Sequence, residues 1–114
     1  MGTIIYKIVS RREWAAAEAA GRFHGSVADR EDGFIHFSAA AQVEETARRH
    51  FAGVADLRLV AVEAGALGAA LKWERSRGGA LFPHLYGPLS LSDAAWVRPL
   101  PVTAGGHDFA GLIG

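Results

Sequence analysis

The sequence predicts an α+β domain, and three observations predict it. A β-branched and aromatic run at residues 3–9 flows into a capped, alanine-rich helix. A second run, Leu57–Glu63, is apolar on both faces. Strands and helices then mix without the regular alternation that a doubly wound parallel sheet requires.

Taken in order, residues 3–9 read as a central strand, because an interior strand is apolar on both sides. Ser10 and Glu13 have the spacing of a capping box, with Val9 and Trp14 at the positions of a hydrophobic staple. The helix that follows ends at Gly21, suited to a left-handed cap. Residues 23–32 show no clear period, and the charged run 29–33 closes on glycine, so an exposed loop and turn are expected there. Residues 34–37 form a short apolar strand interrupted by His36. Ser38 is placed to cap a second main helix over 39–51, with Val43, Ala47, His50 and Phe51 on one face.

Leu57–Glu63 reads as an interior strand. Leu71–Arg75 alternates, which predicts a half-buried strand with Leu71 and Trp73 inward and Lys72 and Glu74 outward. Residues 76–79 form a glycine-bearing loop. Residues 96–100 make a last strand that Pro99 restricts to an edge or an end. From about residue 104 the tail is glycine-rich and expected to be partly mobile.

The 114 residues fit one domain over 1–114, without repeat, linker or low-complexity block. Half the residues are hydrophobic and twelve basic residues balance twelve acidic ones, so no excess charge supports nucleic-acid binding. With no cysteine, disulfides, thiolate metal sites and cysteine nucleophiles are excluded. No stretch approaches the roughly 18 apolar residues of a membrane span, and a cytoplasmic protein is expected.

Three segments could carry chemistry. The first, GFIHFS at 33–38, sets His36 in an apolar strand that feeds a helix start, where backbone amides at Ser38 would favour an anion. The second, FPHLYGP at 82–88, holds too much proline and glycine for a continuous strand, yet is strongly aromatic. Two apart, His84 and Tyr86 offer an imidazole and a phenol to one side. The third is Glu74, among Lys72, Arg75 and Arg77, either a solvated ion-paired carboxylate or an acid, base or ribose-binding group. His24, His50 and His107 sit in no comparable segment. No HExxH pattern, glycine-rich phosphate loop or GxSxG elbow occurs.

At these residues the chain resembles the family known as domain of unknown function 952, small bacterial proteins that also occur fused to other domains. The likeness runs through residues 4–8 with Trp14, 33–38 with Gln42, Leu71 with Glu74, and 82–87. That family is in turn distantly similar to the ADP-ribosyltransferase superfamily. The resemblance implies a split, mostly antiparallel sheet with two main helices and a cleft for NAD. It makes His36 a ribose contact and puts His84 or Tyr86 on the nicotinamide side. Glu74 departs from the pattern, in which the catalytic glutamate comes late in the chain.

The leading expectation is an NAD- or nucleotide-binding protein that transfers a ribosyl or phosphoryl group. His36, His84 and Glu74 would be its catalytic residues, and His36, Ser38, Arg77, His84 and Tyr86 its ligand contacts, without a metal. One alternative is a non-catalytic module that binds a ligand or partner through Phe82, His84 and Tyr86. Another is a two-histidine, one-carboxylate metal site of His36, His84 and Glu74.

Overall fold

The computed structural model describes residues 2–113, with the side chain of Arg77 outside the described part. The strands are β1 (Ile4–Ser10), β2 (Arg22–Phe23), β3 (Ile35–His36), β4 (Ser38–Ala39), β5 (Leu57–Glu63), β6 (Leu71–Arg75), β7 (Leu81–Leu85), β8 (Leu89–Ser90), β9 (Ala94–Leu100), β10 (Val102–Thr103) and β11 (Gly106–His107). Helices α1 (Arg11–Ala20), α2 (Val27–Asp32) and α3 (Val43–His50) lie among them, with short 3-10 turns at Ala64–Ala70, Arg77–Gly79 and Leu91–Asp93. The arrangement is a compact α+β domain with antiparallel sheets and few helices.

A four-stranded sheet runs β4-β1-β5-β9 and a three-stranded sheet runs β3-β7-β6, both antiparallel throughout. β1 and β5 are the interior strands of the larger sheet, and their side chains divide between two cores. Ile5, Val9, Val60 and Val62 join Trp14, Phe23 and Phe37 on one face; Tyr6, Ile8, Leu59 and Ala61 join Val43 and Ala47 on the other. Burial on both faces is why these two strands read as continuous apolar runs. Residues 35–39 form one extended stretch that leaves one sheet and enters the other, with Phe37 between. That stretch seats His36 in the smaller sheet and Ser38 in the larger.

Helix α1 is capped as expected at both ends. The Ser10 hydroxyl accepts from the Glu13 amide, and Gly21 closes the helix with φ of 82°. The return half of the box differs: the Glu13 carboxylate accepts from the Ser10 hydroxyl, while Ser10 itself belongs to β1 opposite Leu57.

Five local expectations are corrected. Residues 23–32 are not an open loop: Arg22–Phe23 pairs with Leu89–Ser90, and Val27–Asp32 is a helix with a complete capping box between Ser26 and Asp29. Six residues are too few to show a helical period, and aspartate stands where the box usually has glutamate. Ser38 is not a helix cap. It is buried in β4, its hydroxyl 2.9 Å from that of Thr46, and α3 starts four residues later than expected. Gln42 precedes that helix without capping it; its side-chain oxygen accepts from the Ala39 amide, and its amide group donates to the Leu81 carbonyl.

The segment 81–85 is a strand, central in the smaller sheet despite Pro83. The Pro83 carbonyl accepts from the Phe37 amide, so the proline nitrogen turns to the same side, beyond the end of β3, and the ladder to β6 loses no donor. Trp73 is 41% exposed rather than inward, because β6 is an edge strand. The tail is also anchored: Phe109 is buried in the second core, and His107 bonds through its Nε2 to the Val54 carbonyl at 2.8 Å.

Candidate functional site

The register of the smaller sheet builds the site. β3 and β7 pair with His36 directly opposite His84, and the two rings lie 5.7 Å apart at 76°. Phe34 stacks on His84 at 4.0 Å and also touches the His36 and Tyr86 rings. The two histidines singled out from sequence therefore meet across one ladder step.

His36 is held by helix α2. Its Nδ1 lies 2.6 Å from Asp29 Oδ1 and its Nε2 2.9 Å from Asp32 Oδ2. The Nδ1 contact is a hydrogen bond that fixes the ring, whereas Asp32 stands beside Nε2 as an ion-pair partner. Asp29 is 1% exposed and accepts four hydrogen bonds, one from Lys7 Nζ, two from His36 through its amide and ring, and one from the Ser26 amide, while Lys7 Nζ also pairs with its other oxygen at 2.8 Å. Burial alone would push the Asp29 carboxyl up. The His36 hydrogen bond and the charge of Lys7 outweigh that and hold it well below the usual carboxylate range. Lys7, in the middle of β1, is itself buried, and burial draws its ammonium down against the attraction of Asp29.

His84 is oriented from the opposite side. Glu74 on β6 accepts at Oε1 from His84 Nδ1 at 2.8 Å and from the Tyr86 hydroxyl at 2.7 Å. These two hydrogen bonds, Tyr86 first, lower the Glu74 carboxyl, and the same bond raises the Tyr86 phenol. An ionised Glu74 only accepts, so Nδ1 carries the proton and the lone pair of a neutral His84 sits on Nε2. That atom has no hydrogen-bond partner among the described residues.

Both imidazoles line a cavity of about 560 Å³ between the two sheets and helices α2 and α3. Its wall includes Lys7, Asp29 and Ser38 as well, with Phe37 and Phe82 among the apolar groups. Of the residues expected from sequence, His36, Ser38 and His84 reach the cavity. Glu74 and Tyr86 do not line it; they stand behind His84 and fix its ring. The side chain of Arg77 lies outside the described residues.

Two groups went unrecognised in sequence, Lys7 and Asp29. A lysine inside an apolar strand was the available signal for one, and Ser26-x-x-Asp29 for the other. Among the described residues no three histidine, aspartate or glutamate side chains cluster as a metal would need.

The profile of the family described as "Protein of unknown function (DUF952)" matches residues 8–97, and the chain belongs to that family. Among solved structures, the chain is similar to the crystal structure of Protein CC0527 from Caulobacter crescentus. Identity is 55%, the TM-score is 0.92, and the match covers 95% of this chain and 96% of that one. The solution NMR structure of CC0527 matches at 57% identity and a TM-score of 0.82, over 91% and 90% of the respective chains. No curated protein matches. None of these relatives brings support for the ADP-ribosyltransferase likeness. No helix among the described residues is long and apolar enough to cross a membrane.

Proposed function

We propose that the cavity binds a nucleotide-sized ligand, of which NAD and ADP-ribose are the leading candidates, and that His84 exchanges a proton with it during ribosyl or phosphoryl transfer. The observation that carries this reading is the pair of imidazoles on facing strands, each with Nδ1 held by a carboxylate and both on one cavity wall. A histidine whose far nitrogen is fixed by a carboxylate is oriented for general acid–base work at the near one. The cavity volume falls within the roughly 300–1,000 Å³ of small-molecule sites. In this reading His36 is held by Asp29 beside the reacting group, Glu74 is a positioning residue, and Ser38 contacts phosphate.

Thermal melting with ligand tests the binding, and nicotinamide release tests the chemistry. A ligand at one hundred times its Kd adds about 2.7 kcal/mol of stability, a rise that melting resolves easily. NAD and ADP-ribose should each produce it, and nicotinamide release should vanish in His84→Gln. No stabilisation by either compound at millimolar concentration overturns the nucleotide reading. Stabilisation without release in the native protein favours the non-catalytic binding module.

A further inference from the structure

We propose that Lys7 is a nucleophilic amine that forms an imine with a carbonyl-bearing ligand in the cavity, an activity separate from the one above and independent of its ligand. Lys7 is 6% exposed, sits at the middle of an interior strand, and borders the cavity. Its direct contact is Asp29, whose two carboxylate oxygens lie at 2.8 and 3.0 Å, and the charge of Glu13 also acts on it.

An ammonium has three N–H groups, and Asp29 takes two contacts. A neutral amine at the same place still donates to Asp29 and has the lone pair that the ammonium lacks. Asp29 is moreover a shared counter-ion. The same carboxylate accepts from the His36 ring, the His36 amide and the Ser26 amide, so its charge neutralises Lys7 only in part. Burial draws the lysine down against the attraction of Asp29 and Glu13, which raises its uncharged share, and desolvated lysines are the ones that act as imine-forming nucleophiles. As a purely structural element the pair would add little, since buried ion pairs are often no better than apolar side chains of the same volume.

The step balances without any oxidant or reductant. The Lys7 Nζ lone pair attacks the carbonyl carbon, and the C=O π pair moves to oxygen. The new nitrogen gives up one proton and the oxygen takes one, carried by His84 Nε2 on the same cavity wall. A proton from solvent then turns that hydroxyl into water, which departs as the nitrogen lone pair closes C=N, the nitrogen keeping its remaining hydrogen. Asp29 stays beside the resulting iminium as its counter-charge.

The chain has only two lysines, Lys7 and Lys72, and Lys72 is exposed on β6. The folded protein is incubated at pH 7 with glycolaldehyde, reduced with borohydride, and mapped by peptide mass spectrometry. The expected result is severalfold more reduced adduct on Lys7 than on Lys72, since lowering an amine's pKa raises its neutral, nucleophilic fraction. Lys72→Arg should retain the adduct. Lys7→Arg, which preserves a cation for Asp29, should abolish it. Peptide mapping of the unsubstituted protein decides the matter even if Lys7→Arg does not fold. Equal or greater labelling of Lys72 overturns the proposal, with guanidinium-unfolded protein as the control in which both lysines react.

Discussion

Removing the Asp29 side chain is the perturbation whose size the structure states most directly. In Asp29→Ala, the buried Lys7 ammonium loses both contacts, the His36 ring and amide lose their acceptor, and the Ser26 amide loses half of its capping box. Stranding one partner of a buried ion pair costs about 3–5 kcal/mol. The whole stability of a domain this size is of order 5–15 kcal/mol, so the variant should be close to the limit of folding. At about 4 °C per kcal/mol, the melting temperature should fall by roughly 12–20 °C. Urea denaturation followed by circular dichroism measures it. The double substitution Lys7→Met, Asp29→Leu, which removes the charges together, should recover most of the loss. A loss below about 1 kcal/mol in Asp29→Ala would refute the reasoning that Asp29 holds Lys7 and α2 in place.

The same carboxyl makes acid sensitivity predictable: its folded pKa is depressed, so its contribution is present in full above the unfolded value near 3.9 and fades as pH falls below about 4. Asp29→Asn should flatten that acid limb in melts run from pH 6 to pH 2. Tyr86→Phe removes the first of the two donors on Glu74, and carboxyl NMR titration should show the Glu74 pKa moving up toward its ordinary value. Ser26→Ala should cost about 1 kcal/mol as a lost N-cap, read by urea midpoint. Gly25→Ala should cost more than Gly33→Ala: both positions have positive φ, but only at Gly25 does a new Cβ land 2.7 Å from the Asp29 Cβ.

What was legible in the sequence was whatever local chemistry announces. β5 and β6 have the bounds that their patterns predicted, and α1 has the Ser10 and Gly21 ends that capping required. His36 and His84 stand together because the two most aromatic segments pair with one another. What was hidden depends on partners distant in the chain. Pro83 argued against a strand, and only the ending of β3 at His36 makes its missing donor harmless. Ser38 has the credentials of a cap, yet β1 recruits it as an edge strand. Asp29 and Lys7 lie 22 residues apart, and no periodicity links a short helix to the strand beneath it.

The central claim is that His36 and His84 face one ligand cavity, and the histidine ring signals in NMR test it most directly. Titrated with ADP-ribose, the ring protons of both residues should shift along one common binding curve, while His107, bonded to Val54 at the tail, stays fixed. In the free protein near neutral pH, neutral His84 should carry its proton on Nδ1. Signals of His36 and His84 that do not move at millimolar ligand, or a neutral His84 protonated on Nε2, would contradict the account.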